Sequence, residues 1–261
     1  MGERIRSEID ARGIARLTLD RADKHNAFDD VVIRELTTEL TRLDGDERAR
    51  VVVLTGAGKS FSAGADLGWM RAMAAYGEQE NRADALGLAA LMQALDGIGK
   101  PTIARINGPA YGGGVGLIAC CDIAIAASNA RFAFTEVRLG LAPAVISPYV
   151  INAIGARQAR RLFATGESFD ATHAQAIGLV HEVVEPGALD SAVEAVIGEL
   201  LQGGPAAQRE IKKLIALVVR GEGGSELHGR TAELIARLRA SPEGQEGLGA
   251  FFDKRAPRWK R

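Results

Sequence analysis

Two segments constrain this chain more than anything else in it: Ser60-Phe61-Ser62-Ala63-Gly64-Ala65-Asp66-Leu67 and Asn107-Gly108-Pro109-Ala110-Tyr111-Gly112-Gly113-Gly114-Val115-Gly116-Leu117. Each follows an apolar run that reads as a buried strand, Val51-Val52-Val53-Leu54-Thr55 in one case and Thr102-Ile103-Ala104-Arg105-Ile106 in the other. Each then turns through small residues into a helical stretch. Small side chains let a ligand approach the main chain, and backbone N–H groups at a strand-to-helix turn are natural anion donors. Two such turns side by side can hold one developing oxyanion between two N–H groups.

The rest of the chain continues the alternation. Ile14–Leu19 alternates like a half-buried strand, and Val32, Ile33, Leu36, Leu40 and Leu43 fall at helical spacing over residues 29–43. A helical stretch over 70–95 is broken at Gly77, Gly87 and Gly97; a helix over 114–121 and strands over 123–127 and 131–134 come next. Pro143 opens a helical region, and residues 177–184 read as a short strand or as a helix running into one. Residues 190–201 are amphipathic, and Gly203-Gly204-Pro205 is the clearest breaker. The remainder of the chain reads as helix, interrupted at 221–224 and at Ser241-Pro242. This pattern predicts an α/β protein with parallel pairing, a core unit over 1–202 and a helical region over 203–261. No internal sequence repeat is strong enough to show a repeating unit.

Charge and composition exclude several classes. The 32 basic and 33 acidic residues are mixed throughout, and the most basic stretch is the short tail at 254–261, so nucleic acid is not the expected partner. No apolar run approaches about eighteen residues and no signal core opens the chain, which predicts a cytoplasmic protein without a membrane span. Adjacent Cys120 and Cys121 give neither a disulfide framework nor metal-ligand spacing, and the four histidines are scattered. Ser60 and Ser62 have no base paired to them in the sequence, so a serine hydrolase is disfavoured. Thr55-Gly56-Ala57-Gly58-Lys59-Ser60 ends like a phosphate loop, but Val53 stands where that loop needs its first glycine.

Glu136 is the strong acid/base candidate. It follows the apolar strand Arg131-Phe132-Ala133-Phe134 and precedes Leu139-Gly140-Leu141-Ala142-Pro143, so its carboxyl should be partly desolvated and its pKa raised.

The two turns, with Cys121-Asp122-Ile123-Ala124 after them, closely resemble the crotonase (enoyl-CoA hydratase/isomerase) family. The likeness begins at Leu19-Asp20-Arg21-Ala22-Asp23-Lys24-His25-Asn26-Ala27-Phe28, passes through Phe134-Thr135-Glu136-Val137-Arg138-Leu139-Gly140-Leu141 and ends at Phe251-Phe252-Asp253-Lys254-Arg255-Ala256-Pro257. It implies a ClpP-like spiral of β-β-α repeats with a C-terminal helical domain, a homotrimer or dimer of trimers, and coenzyme A as thioester carrier with no permanently bound cofactor or metal. Ala65 and Gly113 match the oxyanion-hole positions, and Glu136 matches the second catalytic glutamate. Lys24, Ala27, Ala63, Ala65, Asp66, Leu67 and Gly68 should follow the coenzyme, with Phe251 and Lys254 reaching that of a neighbouring subunit. Gly112, Gly116, Ser147 and Tyr149 are expected in the substrate pocket, and Met70, Met73 and Met92 in its wall.

One position departs from the pattern. The first glutamate of two-glutamate hydratases falls on Gly116, so Glu136 works alone or with water and substrate groups. The run Leu141-Ala142-Pro143-Ala144-Val145-Ile146-Ser147-Pro148-Tyr149-Val150-Ile151 resembles bacterial methylglutaconyl-CoA and isohexenylglutaconyl-CoA hydratases of leucine and acyclic-terpene breakdown. Such substrates carry a carboxylate, for which Arg71, Arg138 or Tyr149 are candidates by proximity in sequence. Enoyl-CoA hydration is the favoured activity. A Δ3,Δ2-enoyl-CoA isomerase is the alternative, and a non-catalytic CoA- or RNA-binding scaffold is the alternative of another class.

Overall fold

The computed structural model describes residues 4–219 and 224–260. The chain opens with a hairpin in which β1 (Ile5–Ile9) runs antiparallel to β2 (Ile14–Leu19). It then passes through extended Phe28 into α1 (Asp30–Gly45), whose N-cap Asp29 accepts from the Val32 N–H. The apolar spacing read from the sequence is the face α1 buries: Val32, Ile33, Leu36, Leu40 and Leu43.

The same path recurs. β3 (Val51–Gly56) leads through the small-residue loop to α2 (Leu67–Met73) and α3 (Glu78–Gly97). β4 (Thr102–Ile106) leads through β5 (Ala110–Tyr111) to α4 (Gly113–Cys120). β6 (Ile123–Ala127) leads through β7 (Arg131–Ala133) and a 3-10 turn at Thr135–Leu139 to α5 (Ser147–Thr165). Then β8 (Phe169–Asp170), α6 (Ala171–Ala176), β9 (Glu182–Val184) and α7 (Leu189–Gln202) complete the body.

The first strand of each repeat enters one six-stranded sheet in the order β1-β2-β3-β4-β6-β9, parallel except at the β1 edge. The second extended segments form another layer: Phe28 bridges Ala65, Ser62 bridges Ala110, β5 pairs with β7 and β7 with β8. This is a spiral of β-β-α repeats. The repeats share a backbone path but not helix length, since α4 has 8 residues and α3 has 20, and so leave no sequence repeat.

Both faces of the large sheet are covered, so β3 is buried along its whole length. Val52 and Leu54 join the main core, with Leu36, Leu91 and Leu117. Val51 and Val53 turn the other way, onto Leu189, Val193 and Ile197 of α7.

Two expectations shift. The stretch 70–95 is two helices: Gly77 precedes α3 and donates to Glu80 Oε2 (2.8 Å), whereas Gly87 lies within α3 and Gly97 ends it. A glycine inside a helix costs about 1 kcal/mol, and burial of Leu91, Met92 and Leu95 outweighs it. Pro143 begins no helix; α5 starts at Ser147, and residues 141–146 form an irregular wall.

Gly203 caps α7, and α8 (Pro205–Val219), α9 (Ser225–Ala240) and α10 (Pro242–Phe252) come after it. Of the break at 221–224 only Gly224 is described, at φ +92°. Lys212 Nζ reaches Asp122 Oδ2 (2.8 Å), and Arg50 donates to the carbonyls of Gly203 (3.0 Å) and Trp259 (3.2 Å), tying these helices to the sheet. Among the described residues no helix is long and apolar enough to cross a membrane.

Candidate active site

Strand register brings the two small-residue turns together. Ser62 lies opposite Ala110, and Ala110 lies opposite Phe132. Three residues beyond each of these come Ala65, Gly113 and Thr135, with Glu136 next, so successive repeats deliver their ends to one place. The turns touch there. A Cβ on Gly64 would lie 2.6 Å from the Tyr111 carbonyl oxygen and 3.5 Å from the Gly113 nitrogen, and Gly64 itself sits at φ +80°. Glycine is required at that approach.

The loops behind the turns are held by side-chain amides. Asn26 Nδ2 donates to the carbonyls of Ala57 (2.8 Å) and Ser60 (2.7 Å). Asn107 Nδ2 donates to those of Gly58 (3.0 Å) and Ser60 (3.2 Å), while its Oδ1 accepts from the Gly56 N–H. The segment resembling a phosphate loop is therefore bound to its own protein. By contrast, no backbone hydrogen bond among the described residues uses the N–H of Ala65 or Gly113. The Gly113 N–H is also one of the unpaired donors at the start of α4.

Glu136 faces this pair from the 3-10 turn. Its Oε1 packs on Gly112, where a Cβ would stand 3.0 Å away; Gly112, at φ +48°, admits the carboxylate only as glycine. Glu136 Oε2 is buried and has no hydrogen-bond partner among the described residues. Burial raises its pKa above the ordinary value, opposed by its own backbone N–H. An under-solvated carboxylate of this kind is suited to taking and returning a proton.

These groups share a cavity of about 860 Å³. Its floor and walls include Phe28, Leu88, Val145 and Ile146, with Met70, Met73 and Leu67 towards its rim, and Leu67 is 81% exposed. A second depression, of about 240 Å³, is lined by Arg131, Arg161, Glu167, Asp170 and His173. Its arginines are paired with Glu167 and Asp170, and it lacks Glu136 and both turns.

Ala63, Gly64, Ala65, Leu67, Gly112 and Gly113 line the large cavity. Gly68 is exposed and Ala27 is 7% exposed, and neither lines it. Asp66 is committed internally. It caps α2 by accepting from the Gly68 and Trp69 N–H groups, and it receives Lys24 Nζ (2.9 Å) and Arg21 (3.0 Å). The Lys24 hydrogen bond and these N–H groups outweigh burial and hold its carboxyl at about 2. Lys24 is half exposed, and Phe251 and Lys254 are exposed and do not line this chain's cavity.

Six expected site residues lie elsewhere. Gly116 does not line the cavity, because Ile146 covers it: a Cβ there would stand 2.8 Å from the Ile146 Cβ. Ser147, the first residue of α5, donates back to the Ala144 carbonyl (2.8 Å) in the turn that precedes the helix. Tyr149 packs on the main core, and neither residue lines the cavity. Met92 is fully buried, with Cys120 Sγ 3.6 Å from its sulfur. Arg71 and Arg138 are exposed and absent from the lining as well.

Sequence reasoning missed Ile146, Trp69 and Asp84, all of which line the cavity. For Asp84 a signal existed: Asn81, Asp84, Ala85 and Leu88 recur at helical spacing and form the stripe of α3 that faces the site.

The chain has close relatives among known proteins. A family model described as enoyl-CoA hydratase/isomerase matches residues 10–261. The crystal structure of an enoyl-CoA hydratase from Shewanella pealeana superposes with a TM-score of 0.96 at 45% identity, covering 98% of this chain and 96% of that one. The crotonyl-CoA hydratase of Syntrophomonas wolfei is 33% identical, covering 93% of this chain and 92% of its own. The short-chain-enoyl-CoA hydratase of Clostridium acetobutylicum is 31% identical with the same coverage.

Proposed function

This chain belongs to the enoyl-CoA hydratase/isomerase family, and on that premise we propose that it adds water across the 2,3 double bond of an enoyl-CoA thioester, using the Ala65 and Gly113 N–H groups as an oxyanion hole and Glu136 as its one catalytic carboxylate. The observation that carries this reading is the buried Glu136 Oε2, without a hydrogen-bond partner among the described residues, on the same cavity as two N–H groups that no described residue accepts from.

Glu136 takes a proton from water as the oxygen bonds to C3. The electrons of the double bond move onto the thioester oxygen, where the two N–H groups hold the enolate charge. Collapse of the enolate draws the proton from Glu136 to C2, and the carboxylate is regenerated. One donor of such a pair is worth about 2.7–4 kcal/mol of barrier. The thioester's coenzyme follows Lys24, Ala27 and residues 63–68, with Asp66 holding that strip in shape. Phe251 and Lys254 serve a neighbouring subunit in a homotrimer or dimer of trimers, a reading supported by the exposed Phe251 and Phe252 rings, 77% and 74% accessible.

A branched substrate of the methylglutaconyl type needs a partner for its carboxylate. No lysine, arginine or histidine lies among the described residues lining the cavity, which favours a neutral acyl group. The isomerase reading draws support from Gly116 and Ile146, which leave Glu136 without a second glutamate. Incubation with 2-enoyl- and 3-enoyl-CoA esters, with mass analysis of the products, separates the two: a gain of one water supports hydration, while double-bond migration without mass change overturns it. Tight acyl-CoA binding with no turnover of any ester is the outcome that a scaffold predicts.

A further inference from the structure

Among the described residues, two carboxyl groups line the cavity, Asp84 and Glu136. Glu136 has its role in the proton transfers, whereas Asp84 has none there. It sits within the α3 stripe of Asn81, Asp84, Ala85 and Leu88, beside Trp69 of α2. Burial raises its pKa, and the neighbouring Asp30 carboxylate adds to the rise, while the Trp69 indole opposes it. Among the described residues, no cation figures among the groups acting on it.

We propose that Asp84 is a specificity determinant of the acyl pocket, admitting neutral 2-enoyl thioesters and turning away those whose acyl group ends in a carboxylate. The proposal rests on the enoyl-thioester reading of the site and names the acyl class it takes. A carboxylate entering the cavity would lose water against Met70, Met73, Leu88 and Val145, and would meet the acids Asp84 and Glu136 instead of a counter-ion. A neutral chain meets the same apolar wall with nothing to desolvate. Specificity of this kind comes from a repulsive group as much as from attractive contacts.

The test uses two thioesters of equal length, 2-hexenoyl-CoA and 2-hexenedioyl-CoA, with the full-length protein in its native assembly. The wild type should show kcat/KM at least about tenfold higher for the neutral ester, the scale expected of an unpaired like charge. Asp84→Asn should shrink that ratio several-fold, and Asp84→Lys should invert it. Equal wild-type rates on the two esters, or a ratio that neither variant moves, overturns the proposal. If the wild type hydrates neither ester, the hydratase reading fails separately. Calorimetric Kd values for the same pair then decide: a tenfold preference for the neutral ester supports the role of Asp84, and equal affinities refute it.

Discussion

Ile146 occupies the space above the Gly116 Cα. A Cβ on residue 116 would lie 2.8 Å from the Ile146 Cβ and 3.4 Å from the Met92 Cε, with the Ile146 Cγ2 closer still. Ile146 is 2% exposed and branched at Cβ, so it has little freedom to move aside. The contact of Ile146, at the start of α5, with α4 is thus also what bars a second glutamate from position 116.

Gly116→Glu should therefore not restore a two-glutamate site. It should destabilise the fold by about 1–3 kcal/mol, the range for overpacking a filled core, and a buried charge adds to that. Gly116→Glu combined with Ile146→Ala should recover part of the stability and raise hydration of a straight-chain ester above that of the single variant. Denaturant melts and initial rates check both, and a Gly116→Glu protein as stable as the wild type would refute the packing argument.

Glu136→Gln should lower turnover by at least about 10²–10⁴-fold, the usual worth of general acid–base catalysis, with acyl-CoA affinity nearly unchanged. Its effect on stability has a definite sign. Burial lifts the folded-state pKa above 4.5, so the folded protein binds more protons and loses stability as pH rises through that interval. The glutamine variant should thus gain on the wild type between acid and neutral pH. Melting curves at pH 4 and pH 7 that show no such change would remove the case for a desolvated carboxylate.

Gly112→Ala tests the other side of Glu136. Residue 112 has φ +48° and its Cβ would press on Glu136 Oε1, so the change should cost on the order of 1–3 kcal/mol in backbone strain and displace the carboxylate. The expected kinetic signature is a fall in kcat with a smaller change in KM.

Asp66→Ala removes the α2 N-cap and the shared partner of Lys24 and Arg21. Loss of the cap alone is worth about 0.5–2 kcal/mol. The Asp66 carboxyl titrates at about 2 in the folded protein against an ordinary 3.8, so its contribution is present above 3.8 and fades as pH falls through 2. The gap in melting temperature between wild type and variant should accordingly be wide at pH 6 and narrow near pH 2. Asp66→Asn, which keeps a capping oxygen, should fall between them.

Phe251 and Phe252 pack edge to face at 5.7 Å and present their rings to solvent. Replacing both with aspartate should dissociate the proposed trimer-based assembly and weaken acyl-CoA binding. Sedimentation velocity and calorimetry test this, and an unaltered assembly would rule out the aromatic pair as its contact.

The sequence by itself determined the alternation of elements, the two small-residue turns and the carboxylate that joins them. Apolar spacing over 29–43, the buried run at 51–55 and the glycines at 64, 112 and 113 each arise from local chemistry, and each recurs in the structure. Tertiary structure decided which residues meet. Strand pairing of Ser62 with Ala110 and of Ala110 with Phe132 sets the three ends of the site side by side, a register that no local pattern encodes. Whether a residue faces the cavity or the core is a matter of packing between helices distant in sequence. Met92 and Tyr149 went to the core, Gly116 was covered by Ile146, and Asp84, an ordinary helical acid to the eye, came to line the cavity.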